Sequence, residues 1–374
     1  MIGYKLSSDD CWGIEERYGF MPPSVYKTPF YNLLLMHPEE GIKFILNFIN
    51  YSIDFYANAD CQYKHNLYKI DVELNDGSQR SLWAMFELWV AYRGGMSVTH
   101  YLLSSLLMSL EKFLLELADL KTEASRKLIR IYLTYLIENT NNVSILGMLT
   151  SVVMAHPSEF GDEIIPLFSK KEFYEWDLSR AVSEFTHTVW KDKDLPFTDD
   201  ENMKFNSLPH RMKYQKGISD FLIDYQFNVG TINPDLFKQF DKFKAQDSKD
   251  NIVWTKCLEE IDIRNWEAKK DEGHENRIVI QPKYGEIVTE FLATNKDDYD
   301  KESKSLTDKS TIRKVQEGKA EISYEGWREF YNFYKTEPIN AFDNCSISLA
   351  VIGLRIFSND LENVEKKMVF RYNY

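Results

Sequence analysis

The feature that most constrains the fold is a series of apolar residues that repeat at helical intervals between residues 30 and 184. The strongest stripe runs from Val98 to Leu117, where apolar side chains return every three or four residues. This spacing matches the turn of an α-helix, so each helix can bury one side. Similar stripes occur at 38–56, 122–138 and 143–155. The chain is therefore predicted to be mainly α, built from stacked, repeat-like helix pairs.

Proline turns separate some of these helices in a recurring way. His37-Pro38 and His156-Pro157 each stand between two apolar helices. Proline suits the first turn of a helix, where its missing N–H costs no hydrogen bond. The same helix–turn–helix arrangement is thus used twice, although two copies do not define a repeat period.

One short stretch follows the period of a β-strand instead. Tyr68–Leu74 alternates between apolar and polar residues, Asn75–Gly77 supplies turn residues, and Ser81–Phe86 can form the returning strand. A lone hairpin is marginally stable in water, so it must pack on helices. We expect a hairpin at about 68–86, inserted into a helical domain that covers residues 1–189.

The chain is less regular beyond this domain. Residues 190–216 are polar and lack a periodic face, which predicts a boundary there and a second α-rich region at 190–374. Residues 294–321 are dominated by Lys, Asp, Glu and Ser, so we expect an exposed charged segment. The pattern further predicts a short strand at 277–281, and it leaves helix and strand open at 346–358.

Charge and cysteine usage limit the surroundings in which the chain can work. Its net charge of −13 disfavours binding to nucleic acid, whose phosphates it would repel. The four cysteines are scattered and form no zinc motif, so we expect reduced thiols in a cytoplasmic protein. The sequence has no signal-peptide pattern, and no apolar stretch is long enough to span a membrane, so no membrane partner is expected.

Motifs for common chemistries are missing from the sequence. It contains no phosphate-binding glycine loop, no GxSxG and no HExxH, so no cofactor or metal is expected and a non-enzymatic role is favoured. One enzymatic alternative is a metal-dependent nuclease that uses the carboxylates Asp71, Glu73 and Glu87 on and after the hairpin. The simpler interpretation places such residues on the solvent face of the hairpin. A small-molecule pocket between helices is a third alternative.

Aromatic residues that cluster with arginine are the other candidate site. Such residues dominate binding hot spots, although packing between helix layers would also explain them. The candidate binding residues are Trp83, Trp89, Tyr92, Arg93, Trp176, Arg180, Trp327 and Arg328.

Five short segments together resemble the helical region of large bacterial antiviral signal-transduction-type NTPases. These segments are 37–41, 87–89 followed by 92–95, 110–113, 172–178, and 261–264 before 277–282. The resemblance implies a helical scaffold or sensor that is attached to an ATPase. This chain lacks the phosphate-binding loop, so no functional residue carries over. We therefore expect a scaffold in bacterial antiphage defence whose partner is a protein, such as an ATPase, another defence subunit or a phage protein.

Overall fold

The computed structural model describes most, but not all, of the 374 residues. The described residues are 10–14, 23–60, 66–94, 99–186, 217–228, 233–270, 278–296, 308, 311–312, 314–316, 318, 320–334 and 345–361, without the side chains of 183–186, 334 and 345–348. By packing, the chain forms two compact units, Met1–Tyr284 and Gly285–Tyr374.

The first unit begins with two helices and a hairpin, as the sequence predicts. The helices are α1 (Phe30–Met36) and α2 (Pro38–Asn58), with Pro38 in the first turn of α2. Strands β1 (Tyr68–Glu73) and β2 (Gln79–Ala84) pair antiparallel. Gly77 makes the turn between them with a positive φ of 81°. The hairpin buries Ile70, Val72 and Leu82 and thereby becomes part of the core.

A bundle of longer helices completes the centre of this unit. The helices are α3 (Phe86–Trp89), α4 (Tyr101–Asp119), α5 (Glu123–Asn139), α6 (Val143–Ala155) and α7 (Lys171–Thr186). Helix α4 packs against α1, α2, α5 and α6 and is buried on most sides. The nearly all-apolar α6 is buried too, which confirms the mainly α fold class with a small hairpin insertion.

The same core continues past residue 190. Helices α8 (Ile218–Asn228), α9 (Pro234–Gln246) and α10 (Ile252–Ile261) place their apolar side chains in the core that also holds α2 to α7. The division by packing therefore falls at Tyr284 rather than at the expected 189–190. All of residues 190–216, on which that expectation rested, lie outside the described residues.

A second hairpin closes the first unit where the sequence predicts only one strand. Strand β3 (Trp266–Lys270) pairs antiparallel with β4 (Ile278–Pro282). The second unit contains α11 (Glu286–Thr294), α12 (Tyr324–Tyr334) and α13 (Cys345–Ile356), and it has its own core around Trp327. Most of the expected charged segment at 294–321 lies outside the described residues.

The cysteines depart from the expectation of four reduced thiols. Cys11 is disulfide-bonded, and Cys257 is a free thiol. Burial raises the pKa of Cys257 to about 11, although the Ser219 hydroxyl beside its Sγ acts in the opposite direction. The expectation of a reduced Cys11 is therefore wrong, while Cys257 is a thiol that stays protonated at neutral pH.

Candidate functional site

The solvent side of α2 carries a row of aromatic side chains, which we name the α2 aromatic stripe. It consists of Phe44, Phe48, Tyr51 and Phe55, spaced four, three and four residues apart, so all four lie on one helical face. Phe44, Tyr51 and Phe55 are 46%, 65% and 38% exposed, and Phe48 is half-buried. Large apolar rings that stay in water on one helix face are unusual for a surface without a partner.

Ring contacts connect the members of the stripe. The Phe44 ring lies 6.0 Å from Phe48 and 6.0 Å from Phe30 of α1, measured between ring centroids. The Tyr51 and Phe55 centroids are 6.4 Å apart, with the two ring planes tilted by 41°. These separations are within the usual range for interacting aromatic pairs. The rings therefore form two contiguous patches along about three turns of helix.

The stripe is exposed because α2 carries a second apolar stripe that is buried. The buried side of α2 is formed by Ile42, Ile45, Leu46, Ile49 and Ile53. These aliphatic residues attach α2 to the core and leave the aromatic face outward.

A shallow groove of about 400 Å³ lies at the C-terminal end of the stripe. Its lining is formed by Tyr51, Asp54, Phe55, Asn58 and Ala59, which are all residues of α2 or its C-terminal end. The two rings form its apolar wall, and among the described lining residues Asp54 is the one that carries a charge.

The carboxylate of Asp54 is held in place by two neighbours. Trp83 Nε1 donates a hydrogen bond of 2.8 Å to Asp54 Oδ1, and Asn141 Nδ2 donates one of 2.7 Å to Oδ2. The backbone N–H of Trp83 also donates to the carbonyl of Asn141 at 2.7 Å. The hairpin, α2 and the turn before α6 thus meet at this carboxylate, which fixes its position at the groove.

The ammonium group of Lys69 already lies over the neighbouring aromatic ring, that of Trp83. Lys69 Nζ lies 3.9 Å from the ring centroid of Trp83, a cation–π contact. Burial lowers the pKa of Lys69, and the negative charges of Asp54 and Asp71 partly oppose that shift. At this corner, two carboxylates therefore act electrostatically on one ammonium group.

The segment at residues 10–14 packs against α2 beside Phe55. Ser52 Oγ donates a hydrogen bond of 2.6 Å to the carbonyl of Trp12, and the Trp12 and Tyr56 rings stack with centroids 4.1 Å apart. Gly13 has a φ of +68°, and a Cβ there would lie 3.1 Å from Phe55 Cγ. This close approach fixes the ring of Phe55, because glycine lets the backbone lie directly against it.

Four of the eight predicted aromatic–arginine binding residues do not lie at the surface. Trp89, Tyr92 and Trp327 are essentially fully buried. Arg180 is 2% exposed and forms an ion pair with the equally buried Asp177. These four residues therefore belong to the two cores, and they cannot contact a partner in this conformation.

The other predicted binding residues are partly accessible. Trp83 and Trp176 are half-buried and pack against the core, and Arg93 and Arg328 are half-buried as well. Of the eight residues, only Trp83 lies next to the α2 groove, through its hydrogen bond to Asp54.

The three carboxylates of the nuclease alternative are not assembled into a metal site. Asp71 is exposed on β1, Glu73 forms an ion pair of 2.7 Å with Lys242, and Glu87 lies in α3, where its charge helps to raise the pKa of Tyr56. Within the described ranges, no three His, Cys, Asp or Glu side chains are grouped so that they could hold a metal ion. Asp71 and Glu73 therefore behave as polar residues of a hairpin surface.

Sequence reasoning missed the α2 aromatic stripe, although its signal was present. The isoleucine-rich stripe of α2 was sufficient to predict a helix, and the aromatic residues between those isoleucines have the same helical spacing. A surface helix buries only one side. A helix with two apolar stripes is therefore expected to leave one of them exposed.

Neither protein-family models nor the curated proteins supply a relative for this chain. No protein-family model matches it, and a search of the curated proteins found no match. Of the helices that the structure describes, none has both the length and the apolar character needed to cross a membrane.

Proposed function

We propose that this protein is a non-enzymatic helical module that binds a protein partner through the α2 aromatic stripe. The observation that carries the proposal is the row of exposed rings on a helix whose opposite face is fully buried. Aromatic side chains are enriched at protein interfaces because they bury a large area at a low cost in conformational entropy. Contiguous exposed apolar patches commonly mark such interfaces.

The shape and chemistry of the surface favour binding over catalysis. Active sites are usually enclosed pockets in which several polar groups converge on one point. The groove on α2 is open and shallow, and its described lining contains a single carboxylate. The carboxylates Asp71, Glu73 and Glu87 do not converge there either.

The biological setting of the proposal comes from sequence. The resemblance of segments 87–95 and 172–178 to antiviral signal-transduction-type NTPases supports a sensor or scaffold in bacterial antiphage defence. In that setting the partner is an ATPase, another defence subunit or a phage protein, and the module works in the cytoplasm. The free thiol of Cys257 fits a reducing compartment, whereas the disulfide of Cys11 is unusual for one.

Site-specific photocrosslinking in the native cell tests this proposal. We would replace Tyr51 with the photocrosslinking residue p-benzoylphenylalanine and compare it with the same replacement at Leu120, which is 62% exposed at the end of α4. We expect a discrete crosslinked partner from position 51 and none from position 120. Equal crosslinking at both positions, or none at position 51, would contradict the proposal.

Affinity measurements with the captured partner then test the stripe directly. Phe44→Ala combined with Tyr51→Ala removes two rings that are largely outside the core, so the melting temperature should stay within a few degrees. Hot-spot aromatics contribute about 2 kcal/mol or more each, which is roughly thirtyfold per ring, so binding should weaken by roughly thirtyfold if one ring is a hot spot and a thousandfold if both are. Leu120→Ala, the matched surface control, should leave the affinity unchanged.

A further inference from the structure

The two rings that form the wall of the α2 groove are arranged to receive a flat or charged group. Tyr51 and Phe55 stand one helical turn apart, with their ring planes tilted by 41°, and Asp54 lies between them in sequence on the same wall. An aromatic pair beside a carboxylate combines two attractive terms for a cation, the π-face and the opposite charge.

The neighbouring ring of Trp83 shows that an aromatic ring beside a carboxylate binds a cationic side chain in this protein. Trp83 stands beside the same carboxylate, through its hydrogen bond to Asp54, and carries the ammonium group of Lys69 over its face. Among the described residues, no cationic side chain lies over Tyr51 or Phe55. The groove therefore repeats the chemistry around Trp83, but within the part of the chain that the structure describes no cation is supplied to its two rings.

Charge also favours a cationic occupant. Lys69 is balanced by Asp54 and Asp71, so the side chains of this corner carry a net negative charge. The whole chain has a net charge of −13, which attracts cationic partners. Each oxygen of Asp54 accepts one hydrogen bond from the protein and retains a second lone pair that a ligand can use.

We propose that the α2 groove binds an arginine side chain presented by a segment of the partner protein, with the guanidinium group over Tyr51 and Phe55 and hydrogen-bonded to Asp54. Arginine fits better than lysine because its planar guanidinium stacks on aromatic rings and donates several hydrogen bonds in a fixed fork. A groove of about 400 Å³ has room for this group and its aliphatic stem. This inference rests on the proposed function, since it specifies the chemistry of the partner.

A titration followed through tryptophan indole signals tests the inference on the full chain. The chain has eight tryptophans, and a Trp83→Phe variant identifies the signal of the indole that is bonded to Asp54. N-acetylarginine methylamide should shift this signal saturably. N-acetylcitrulline methylamide, which has a similar shape but no charge, should not, and N-acetyllysine methylamide should bind more weakly.

Three variants separate the groove from general electrostatic attraction. Tyr51→Ala should weaken binding of the arginine derivative by roughly threefold to tenfold, the range expected for loss of a cation–π contact, without unfolding the chain. Asp54→Asn should weaken it as well, whereas Asp71→Asn, which removes the same charge from the nearby strand, should leave it within twofold. Equal effects of the two Asp variants, or equal binding of the citrulline derivative, would overturn the inference.

The outcome is independent of whether the proposed function holds. The titration needs no partner, so binding of the arginine derivative without a crosslinked partner at Tyr51 would refute the proposed function alone. Conversely, a partner that crosslinks at Tyr51 but is not displaced by saturating N-acetylarginine methylamide would refute the arginine assignment alone.

Discussion

Arg180 and Asp177 form a buried, two-pronged ion pair across one turn of α7. Arg180 Nε lies 2.7 Å from Asp177 Oδ1, and Nη2 lies 3.1 Å from Oδ2. Oδ2 also accepts the backbone N–H of Ile218 at 2.9 Å, which is the first residue of α8. The carboxylate of Asp177 thus joins α7 to α8. Arg180, which the sequence analysis assigned to a binding surface, instead stabilises this buried contact.

The buried pair predicts a large loss of stability when only one partner is removed. Arg180→Ala leaves the Asp177 carboxylate buried without its countercharge, so the free energy of unfolding should fall by about 3–5 kcal/mol. Replacing both residues with apolar ones of similar volume should cost less than the single change. Urea unfolding followed by circular dichroism measures both variants.

A surface ion pair on the same helix provides the control. Lys171 and Glu175 lie 3.3 Å apart, with 35% and 51% of their side chains exposed. Lys171→Ala should lower the free energy of unfolding by no more than about 0.5 kcal/mol. A similar loss for Arg180→Ala would show that the α7 arginine is not held as described.

The buried hydroxyl of Tyr56 predicts that replacing this tyrosine with phenylalanine does not destabilise the protein. Its hydroxyl is buried and has no hydrogen-bond partner among the described residues. Tyr56→Phe should therefore be neutral or stabilising by up to about 1 kcal/mol at pH 7, since it removes an unsatisfied polar group. Tyr174→Phe, the matched control, removes a hydroxyl that donates to the carbonyl of Phe168 and should cost about 1 kcal/mol.

The same residue predicts how stability changes at alkaline pH. Burial, together with the charge of Glu87, raises the pKa of Tyr56 to about 12 from an ordinary value of 10.0. The unfolded chain therefore loses this proton at a lower pH than the folded chain, so stability should fall between pH 10 and 12. Tyr56→Phe should make the fall shallower in urea unfolding curves. An unchanged slope would contradict the raised pKa.

The raised pKa of Cys257 predicts that its thiol reacts slowly with thiol reagents. Its pKa of about 11, against an ordinary 9.0, reduces the thiolate fraction at pH 8 roughly a hundredfold relative to the unfolded chain. Its contribution to stability is present below pH 9 and is lost between pH 9 and 11, because the unfolded thiol ionises first. Peptide mapping after timed iodoacetamide labelling, with and without urea, measures the ratio of rates.

Cys11 is the comparison within the same labelling experiment. Because it is disulfide-bonded, its peptide should stay unlabelled even in urea until a reductant is added. Labelling of Cys11 in urea without reductant would show that the disulfide is not formed in the isolated protein.

Gly147 predicts a strongly destabilising alanine substitution inside a helix. Alanine usually stabilises a helix relative to glycine by up to about 1 kcal/mol. At this position in α6, however, a Cβ would lie 2.3 Å from the carbonyl oxygen of Trp89 in α3. Backbone cannot move aside without separating the two helices, so Gly147→Ala should lower the melting temperature by several degrees in calorimetry. An equal or higher melting temperature would contradict the close α3–α6 contact.

Local pattern was sufficient to predict most helices in the first half of the chain. The apolar stretch 143–155 became α6 with the bounds that composition indicates, and Pro38 begins α2 as expected. The hairpin at 68–84 also followed from alternation and a glycine turn. These elements depend on contacts between residues close in sequence, and such contacts can be predicted from hydrophobic periodicity and turn residues.

Pattern was insufficient where long-range packing decides the outcome. The stretch 346–358 fits both helix and strand, and it is a helix that brings Gly353 against the ring of Trp327. Strand β3 has a polar, lysine-containing sequence, and it forms only because β4 pairs with it. The aromatic–arginine clusters look the same in sequence whether they face a core or a partner.

The sequence by itself determined that this protein is mainly α, where its main helices lie, and that α2 carries two apolar stripes. Only the tertiary structure decided which stripe is buried. The isoleucine stripe of α2 fits against the core, and the rings of Tyr51 and Phe55 remain in water beside Asp54. The physical reason is that one helix face can pack against the core, and the choice between two apolar faces depends on the shape of neighbours distant in sequence.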